Sequence, residues 1–192
     1  MISCILLSAG LSERFGSPKA LASIDKHTAI QHVQKTLLQS SCDEIIVVLG
    51  AHAQDIQPSI FIHSRIRVVY NKSYNFGQTS SVQAGWREAD ISSTGVMFLP
   101  VDCPLVQSSS IDRIIEHFKK HAPDILIPTY QNKKGHPPIF HQRLRSNILD
   151  LSMDKGLNSL FTDHPPQTIE INDSGIIKSF NTPQELEALR LN

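Results

Sequence analysis

The chain has 192 residues, with 18 Lys and Arg against 18 Asp and Glu, so its formal net charge is zero. Hydrophobic residues make up 40% and charged residues 19%. This is below the ~25% charge of ordinary soluble domains and excludes a disordered acidic or basic chain. The balanced charge also argues against a protein held to nucleic acid by phosphate neutralisation. A length near 200 leads us to expect a single domain over residues 1–192, able to bury roughly 70% of the unfolded surface without staples. The cysteines Cys4, Cys42 and Cys103 are few and widely spaced. They form no disulfide framework or metal knuckle and fit a reducing compartment. The first apolar run is far too short to span a bilayer and no basic segment precedes it, so a soluble cytoplasmic protein without membrane association is expected.

Ile2–Leu7 reads as a buried strand. Ile30, Val33, Leu37 and Leu38 then recur at helical spacing and make one apolar stripe. Ile45–Leu49 is a second strand, and Arg67–Tyr70, with polar flanks, a third lying nearer an edge. Ser80 and Ser81 precede a helical stretch, Val82–Ala89, and are placed to cap it. Val96–Leu99 is a fourth strand. Ile111, Ile114, Ile115 and Phe118 form a second helical stripe, with Ser109 or Ser110 as its expected cap. Asp124–Pro128 is a fifth strand. Thr182-Pro183-Gln184-Glu185 is a capping box with Pro at the first helical position, predicting a helix to about Leu191. Strands alternating with helices predict an α/β fold with a mostly parallel sheet.

Parallel sheets bind ligands beyond the carboxyl ends of their strands. The residues in those positions are far from random. The first strand runs into Ser8-Ala9-Gly10-Leu11-Ser12-Glu13-Arg14-Phe15-Gly16-Ser17-Pro18-Lys19, with the skeleton G-x-S-x-R-x-G-x-x-K. Small residues let backbone N–H groups approach an anion, and Arg14 and Lys19 bring positive charge to a polyphosphate. The spacing is neither a Walker loop nor G-x-G-x-x-G. Asp102 closes the run VMFLPVD, where one carboxylate can hold a Mg²⁺ that bridges nucleotide phosphates; a turn-capping Asp before Pro104 is the plain alternative. Lys133 and Lys134 read as a solvated hairpin tip, and His117 and His121, at i, i+4, as surface histidines without a third ligand. Cys103 reads as a small apolar filler.

The loop resembles the signature L-A-A-G-x-S-x-R-M-G-x-x-K of the nucleotidyltransferase family that includes the molybdenum-cofactor nucleotidyltransferases. Ser8 for Ala and Phe15 for Met are mild departures. Asn71–Gly85 is similar to the family's N-x(5)-G-x(3)-S-x(3)-G segment and places Gly77, Ser81 and Gly85 on it. Asp102-Cys103-Pro104 resembles a D-Q-P or D-M-P turn, with Cys103 a departure. Gly135-His136-Pro137 matches the G-H-P motif of the molybdopterin cytidylyltransferase branch, and Asn181-Thr182-Pro183 the closing [DN]-T-P.

The resemblance implies a three-layer Rossmann-like domain of the nucleotide-diphospho-sugar transferase type. It implies transfer of a nucleotidyl group from an NTP to a phosphorylated acceptor, with no catalytic triad. Ser8, Ala9, Gly10, Ser12, Arg14, Lys19, Gly77, Ser81 and Asp102 would bind nucleotide; Arg14, Lys19 and Asp102 would carry catalysis. Asp102 and Asn181 would hold Mg²⁺ or Mn²⁺, and Gly135, His136 and Pro137 would meet the acceptor. The closest likeness implies CTP and a molybdopterin-type cofactor, with a molybdenum hydroxylase or its chaperone as protein partner. Guanylyltransferases of this family tend to carry Gly where Ala9 stands. GTP, a sugar or small-acid phosphate acceptor, and a non-catalytic cofactor carrier are the competing readings.

Overall fold

The computed structural model of the protein describes residues 1–190. Ile2–Ser8 is strand β1. Past its loop come a two-residue hairpin, β2 (Ser23–Ile24) and β3 (His27–Thr28), then helix α1 (Ala29–Gln39), β4 (Glu44–Leu49) and the short α2 (Ala53–Ile56). Next are β5 (Ile66–Tyr70), α3 (Gln78–Glu88), β6 (Gly95–Pro100), α4 (Ser108–His121) and β7 (Ile125–Tyr130). The remainder is β8 (Lys133–Lys134), β9 (Ile139–His141), α5 (Arg145–Leu149), β10 (Gln167–Glu170) and α6 (Pro183–Arg190). The expected end of the last helix, Leu191, lies outside the described residues.

The main sheet has the order β10-β7-β9-β6-β1-β4-β5, with β8 paired to β7. β1 lies parallel between β4 and β6, and β5 is the edge strand its polar flanks predict. Alternate residues of each strand enter opposite cores. From β1, Ile2, Cys4 and Leu6 pack under α1 and α4, and Ile5 and Leu7 pack under α3 and α5. β4 and β6 divide in the same way. This double burial is why these strands are continuous apolar runs, and it makes the fold a three-layer α/β sandwich.

The main sheet is mostly parallel, as expected; β9 is antiparallel to both β6 and β7, and β10 runs parallel beyond β7. Three helix-cap expectations are corrected. Ser109 and Ser110 lie inside α4 rather than capping it. Asp173, 5% exposed, accepts from the Gln107 N–H (3.0 Å) and the Ser110 hydroxyl (2.8 Å), so the cap arrives from a distant loop. Helix α3 begins at Gln78, which puts Ser80 and Ser81 in its first turn. The capping box of α6 is modified: the Thr182 hydroxyl accepts from Glu185 N–H (3.2 Å), while the Glu185 carboxylate reaches Asn181 N–H (2.5 Å).

Candidate active site

The Gly-rich loop after β1 is folded by Ser12. Its backbone is left-handed (φ 57°), as is that of Gly16 (φ 77°). The Ser12 carbonyl accepts the amides of Phe15 (2.9 Å) and Gly16 (3.1 Å), and its hydroxyl accepts Lys19 N–H (3.1 Å). Lys19 is therefore fixed at its backbone. Its ammonium donates to Asp102 Oδ2 (2.8 Å) and Asn181 Oδ1 (3.1 Å), and Arg14 Nη2 donates to the same Asn181 oxygen (3.0 Å). Four residues spread over most of the sequence thus meet at one point. The Lys19 and Asp102 side chains are only 18% and 20% exposed, which strengthens their attraction relative to a surface pair.

Asn181 is held there by its neighbour. Phe180 is fully buried, its ring 5.5 Å from that of Phe15, and its N–H donates to the Asp102 carbonyl (3.2 Å). Phe15 and Phe180 thereby tie the loop to the Asn181 strap.

Ser8, Ala9, Gly10 and Ser12, with Gly77 and Ser81 from the start of α3 and with Lys19 and Asp102, line one cavity of about 510 Å³. Arg14 and Asn181 border a smaller recess beside it, of about 260 Å³. Asn71 Nδ2 donates to the hydroxyls of Ser80 (2.8 Å) and Ser81 (3.1 Å), while the Ser80 hydroxyl bonds the Gly77 carbonyl (2.8 Å). These bonds tie the first turn of α3 to Asn71, just past the end of β5. Tyr74, Asn75, Gln78 and Ser179 also line this cavity, and sequence reasoning missed them as individuals. The first three lie in the stretch flagged by Asn71 and Gly77. Gly50, at the end of β4, is where Ala9 and Tyr74 close together: a Cβ there would lie 2.6 Å from Tyr74 Cβ and 2.8 Å from the Ala9 carbonyl oxygen.

A second cavity of about 530 Å³ adjoins the first and shares Leu7, Gln78 and His136 with it. Gly135, His136 and Pro138 line it, with the rings of Phe98, Phe140 and Phe161 and the amines of Lys134 and Lys155. Pro137 is buried and lines neither cavity; Pro138 takes its place. Lys134 Nζ lies 5.3 Å from the Phe161 ring centre, so this lysine does more than solvate a hairpin tip. The G-H-P turn is pinned: Gly135 N–H donates to Pro128 O (2.8 Å) and His136 N–H to Ile176 O (2.7 Å). Burial holds the His136 imidazole below its ordinary pKa, opposed by the Asp102 charge and a hydrogen bond to the Phe98 carbonyl. It is neutral at pH 7.

Cys103 is 2% exposed at the lining of the first cavity, and burial followed by the Asp102 charge pushes its thiol well up, which disfavours the thiolate. His117 and His121 stack with ring centres 4.4 Å apart on α4 and line neither cavity nor the recess beside Arg14.

The donor set suits a hard divalent cation. Asp102 Oδ2 and Asn181 Oδ1 converge on one cationic point, the Lys19 ammonium, and Mg²⁺ takes one or two protein oxygens and completes its shell with phosphate and water.

Residues 4–168 match the MobA-like NTP transferase domain. The chain belongs to that family. It is 27% identical over 182 residues to nicotine blue oxidoreductase of Paenarthrobacter nicotinovorans, covering 90% of this chain and 86% of that one. It is 26% identical over 190 residues to the molybdenum cofactor cytidylyltransferase of Escherichia coli (96% and 93% covered). With a probable molybdenum cofactor guanylyltransferase of Bacillus mycoides the identity is 27% over 156 residues (79% and 74% covered). In structure it is similar to Rv0371c from Mycobacterium tuberculosis, with a TM-score of 0.87, 23% identity and 100% and 98% of the two chains covered. Among the described residues no helix is long and apolar enough to cross a membrane.

Proposed function

We propose that the protein moves a nucleotidyl group from an NTP, with CTP preferred, to the terminal phosphate of a molybdopterin-type cofactor. An acceptor phosphate oxygen attacks the α-phosphorus, the bond to the β-phosphate bridging oxygen breaks, and pyrophosphate leaves. The observation that carries this reading is the convergence of Lys19, Arg14, Asp102 and Asn181 at the mouth of the Gly-rich loop. An acceptor phosphate is already anionic, so positioning and charge neutralisation suffice and no strong base is needed. Asp102 and Asn181 would hold Mg²⁺ or Mn²⁺, whose chemistry is to neutralise the triphosphate and polarise the phosphoryl group under attack. Lys19 and Arg14 would then turn to the phosphates. The loop and the first turn of α3 hold the nucleotide, and the second cavity takes the acceptor.

The aromatic lining of that cavity favours a flat ring over a sugar or small-acid phosphate. Ala9 and the G-H-P turn support CTP over GTP. Cytidylyl- and guanylyltransferase relatives stand at nearly equal identity, so sequence likeness does not choose between them. One fold hosts several chemistries, as the oxidoreductase relative illustrates. A triphosphate-neutralising cluster favours transfer over hydride chemistry or passive cofactor carriage. The product would pass to a molybdenum hydroxylase or its chaperone in the cytoplasm. Incubation with each labelled NTP plus molybdopterin is the test. The expected result is a cytosine dinucleotide and pyrophosphate; no pyrophosphate with any NTP would refute it.

A further inference from the structure

Two stripes run along α3. Gln78 and Ser81 line the nucleotide cavity, and Gly85, on the same side, lies so close to β1 that a Cβ there would be 2.6 Å from Ile5 Cγ2. Thr79, Gln83 and Trp86, at i, i+4 and i+7, form a neighbouring stripe. All three reach the later chain. Trp86 Nε1–H donates to Gln142 Oε1 (3.2 Å). Gln83 Nε2 donates to the carbonyls of Ile148 (2.9 Å), Leu149 (3.2 Å) and Leu151 (2.8 Å). The Thr79 hydroxyl donates to the Lys155 carbonyl (2.6 Å).

The Gln83 arrangement is specific. Three carbonyls converge on an amide nitrogen with two hydrogens, and the flipped orientation would set Oε1 against all three oxygens. Gln83 is 1% exposed, and in this orientation its Oε1 is buried without a partner. That is a cost an apolar packing residue would avoid.

The segment held in this way, residues 149–157, is a strap exposed from Ser152 to Gly156. Its turn bonds, such as Lys155 N–H to Ser152 O (3.0 Å), are internal. Met153, Lys155 and Leu157 form one wall of the second cavity, facing Phe98, Phe140 and His136. We infer that Gln83 is a positioning residue for the acceptor: together with Thr79, which also lines the second cavity but donates its hydroxyl proton to the Lys155 carbonyl, it latches this wall to the helix whose first turn lines the nucleotide cavity. The inference rests on the reading of the second cavity as the acceptor site.

The test is steady-state pyrophosphate release by Thr79→Val, Gln83→Met and Thr79→Ser, varying molybdopterin and CTP separately. Thr79→Val keeps the shape and removes the donor; Gln83→Met keeps the length; Thr79→Ser restores the hydroxyl. Thr79→Val, which loses one hydrogen bond, should raise the molybdopterin KM about tenfold, and Gln83→Met, which loses the amide's bonds to three carbonyls, at least as much. The CTP KM should stay within about twofold, and Thr79→Ser should behave as wild type. Equal rises in both KM values, or an unmoved molybdopterin KM in a folded variant, would overturn the latch. If Gln83→Met does not fold, the two Thr79 variants decide. A wild type that releases no pyrophosphate with any NTP removes the transferase reading and the latch together, an outcome distinct from an active wild type whose variants show no split.

Discussion

Replacing Lys19 by Met keeps the aliphatic stem and deletes the charge. The ammonium rests 2.8 Å from Asp102 and 3.1 Å from Asn181, on a backbone anchored to the Ser12 hydroxyl, and would turn from them to the phosphates. A charged donor lost from a transition state costs ~2.7–4 kcal/mol, or about 10²–10³ in kcat. The side chains at this point are about one-fifth exposed, so water replaces part of the lost interaction and the lower end, about a hundredfold, is expected. The same water access solvates the Asp102 side chain once its partner is gone, so the melting temperature should move by no more than a few degrees. The assay is pyrophosphate release at saturating NTP, with thermal melts run on the same preparation. Lys19→Arg should recover only part of the loss, because a planar guanidinium does not reproduce a point-like ammonium. Unchanged kcat in a folded Lys19→Met protein would refute the phosphate role.

Asp102→Ala should abolish divalent-cation-dependent turnover in a folded protein, and Asp102→Asn should keep a small residue of it; wild-type rates for either at low Mg²⁺ would make the ligand assignment wrong. Ala9→Gly should narrow the preference for CTP over GTP, by about 10–200-fold if one methyl clash worth 1–3 kcal/mol is relieved. Equal concentrations of the two nucleotides in competition measure this, and a wild-type preference for GTP would overturn the cytidylyl assignment. Asp173→Ala removes the acceptor of bonds from Gln107 N–H, the Ser110 hydroxyl and Gly175 N–H (2.8 Å). It should cost about 3 kcal/mol and lower the melting temperature by roughly 6–12 °C; a shift below about 2 °C would show that α4 does not depend on this cap.

The central strands were legible because burial on both faces leaves no polar alternation to confuse them. β9 and β10 were not. β9 has three residues, and β10, Gln167-Thr168-Ile169-Glu170, buries only Ile169, so neither carries a run or a period. The cap of α4 was misread for a different reason: the serines offered a local solution, whereas Asp173, far along the chain, supplies the acceptor. Within the site, the resemblance named Lys19, Asp102 and Asn181 at loop and strand ends. Their meeting at 2.8–3.1 Å belongs to the structure. Tyr74 and Gln78 lie in the flagged Asn71–Gly85 stretch without being singled out, and the aromatic wall of the second cavity carries no local signal. Phe98 reads as a core strand residue, and Phe140 and Phe161 become cavity lining only through the packing of their segments.

The antiparallel β9, invisible in the sequence, is what joins the two cavities. Its first residue, Ile139, pairs with Met97 and its last, His141, with Gly95, so the chain enters β9 at the carboxyl edge of β6. Pro138 O accepts Phe98 N–H there (3.1 Å). The Gly135-His136-Pro137 turn is thereby delivered to the same edge as Asp102, which follows the end of β6, and His136 comes to line both cavities. A parallel strand in that slot would be entered from its opposite end, about 10 Å away for a strand of three residues. The reversal of a three-residue strand therefore sets two otherwise separate motifs side by side. On the proposed reading, this neighbourhood would bring an acceptor phosphate in the second cavity toward the α-phosphorus of a nucleotide in the first, as in-line transfer requires.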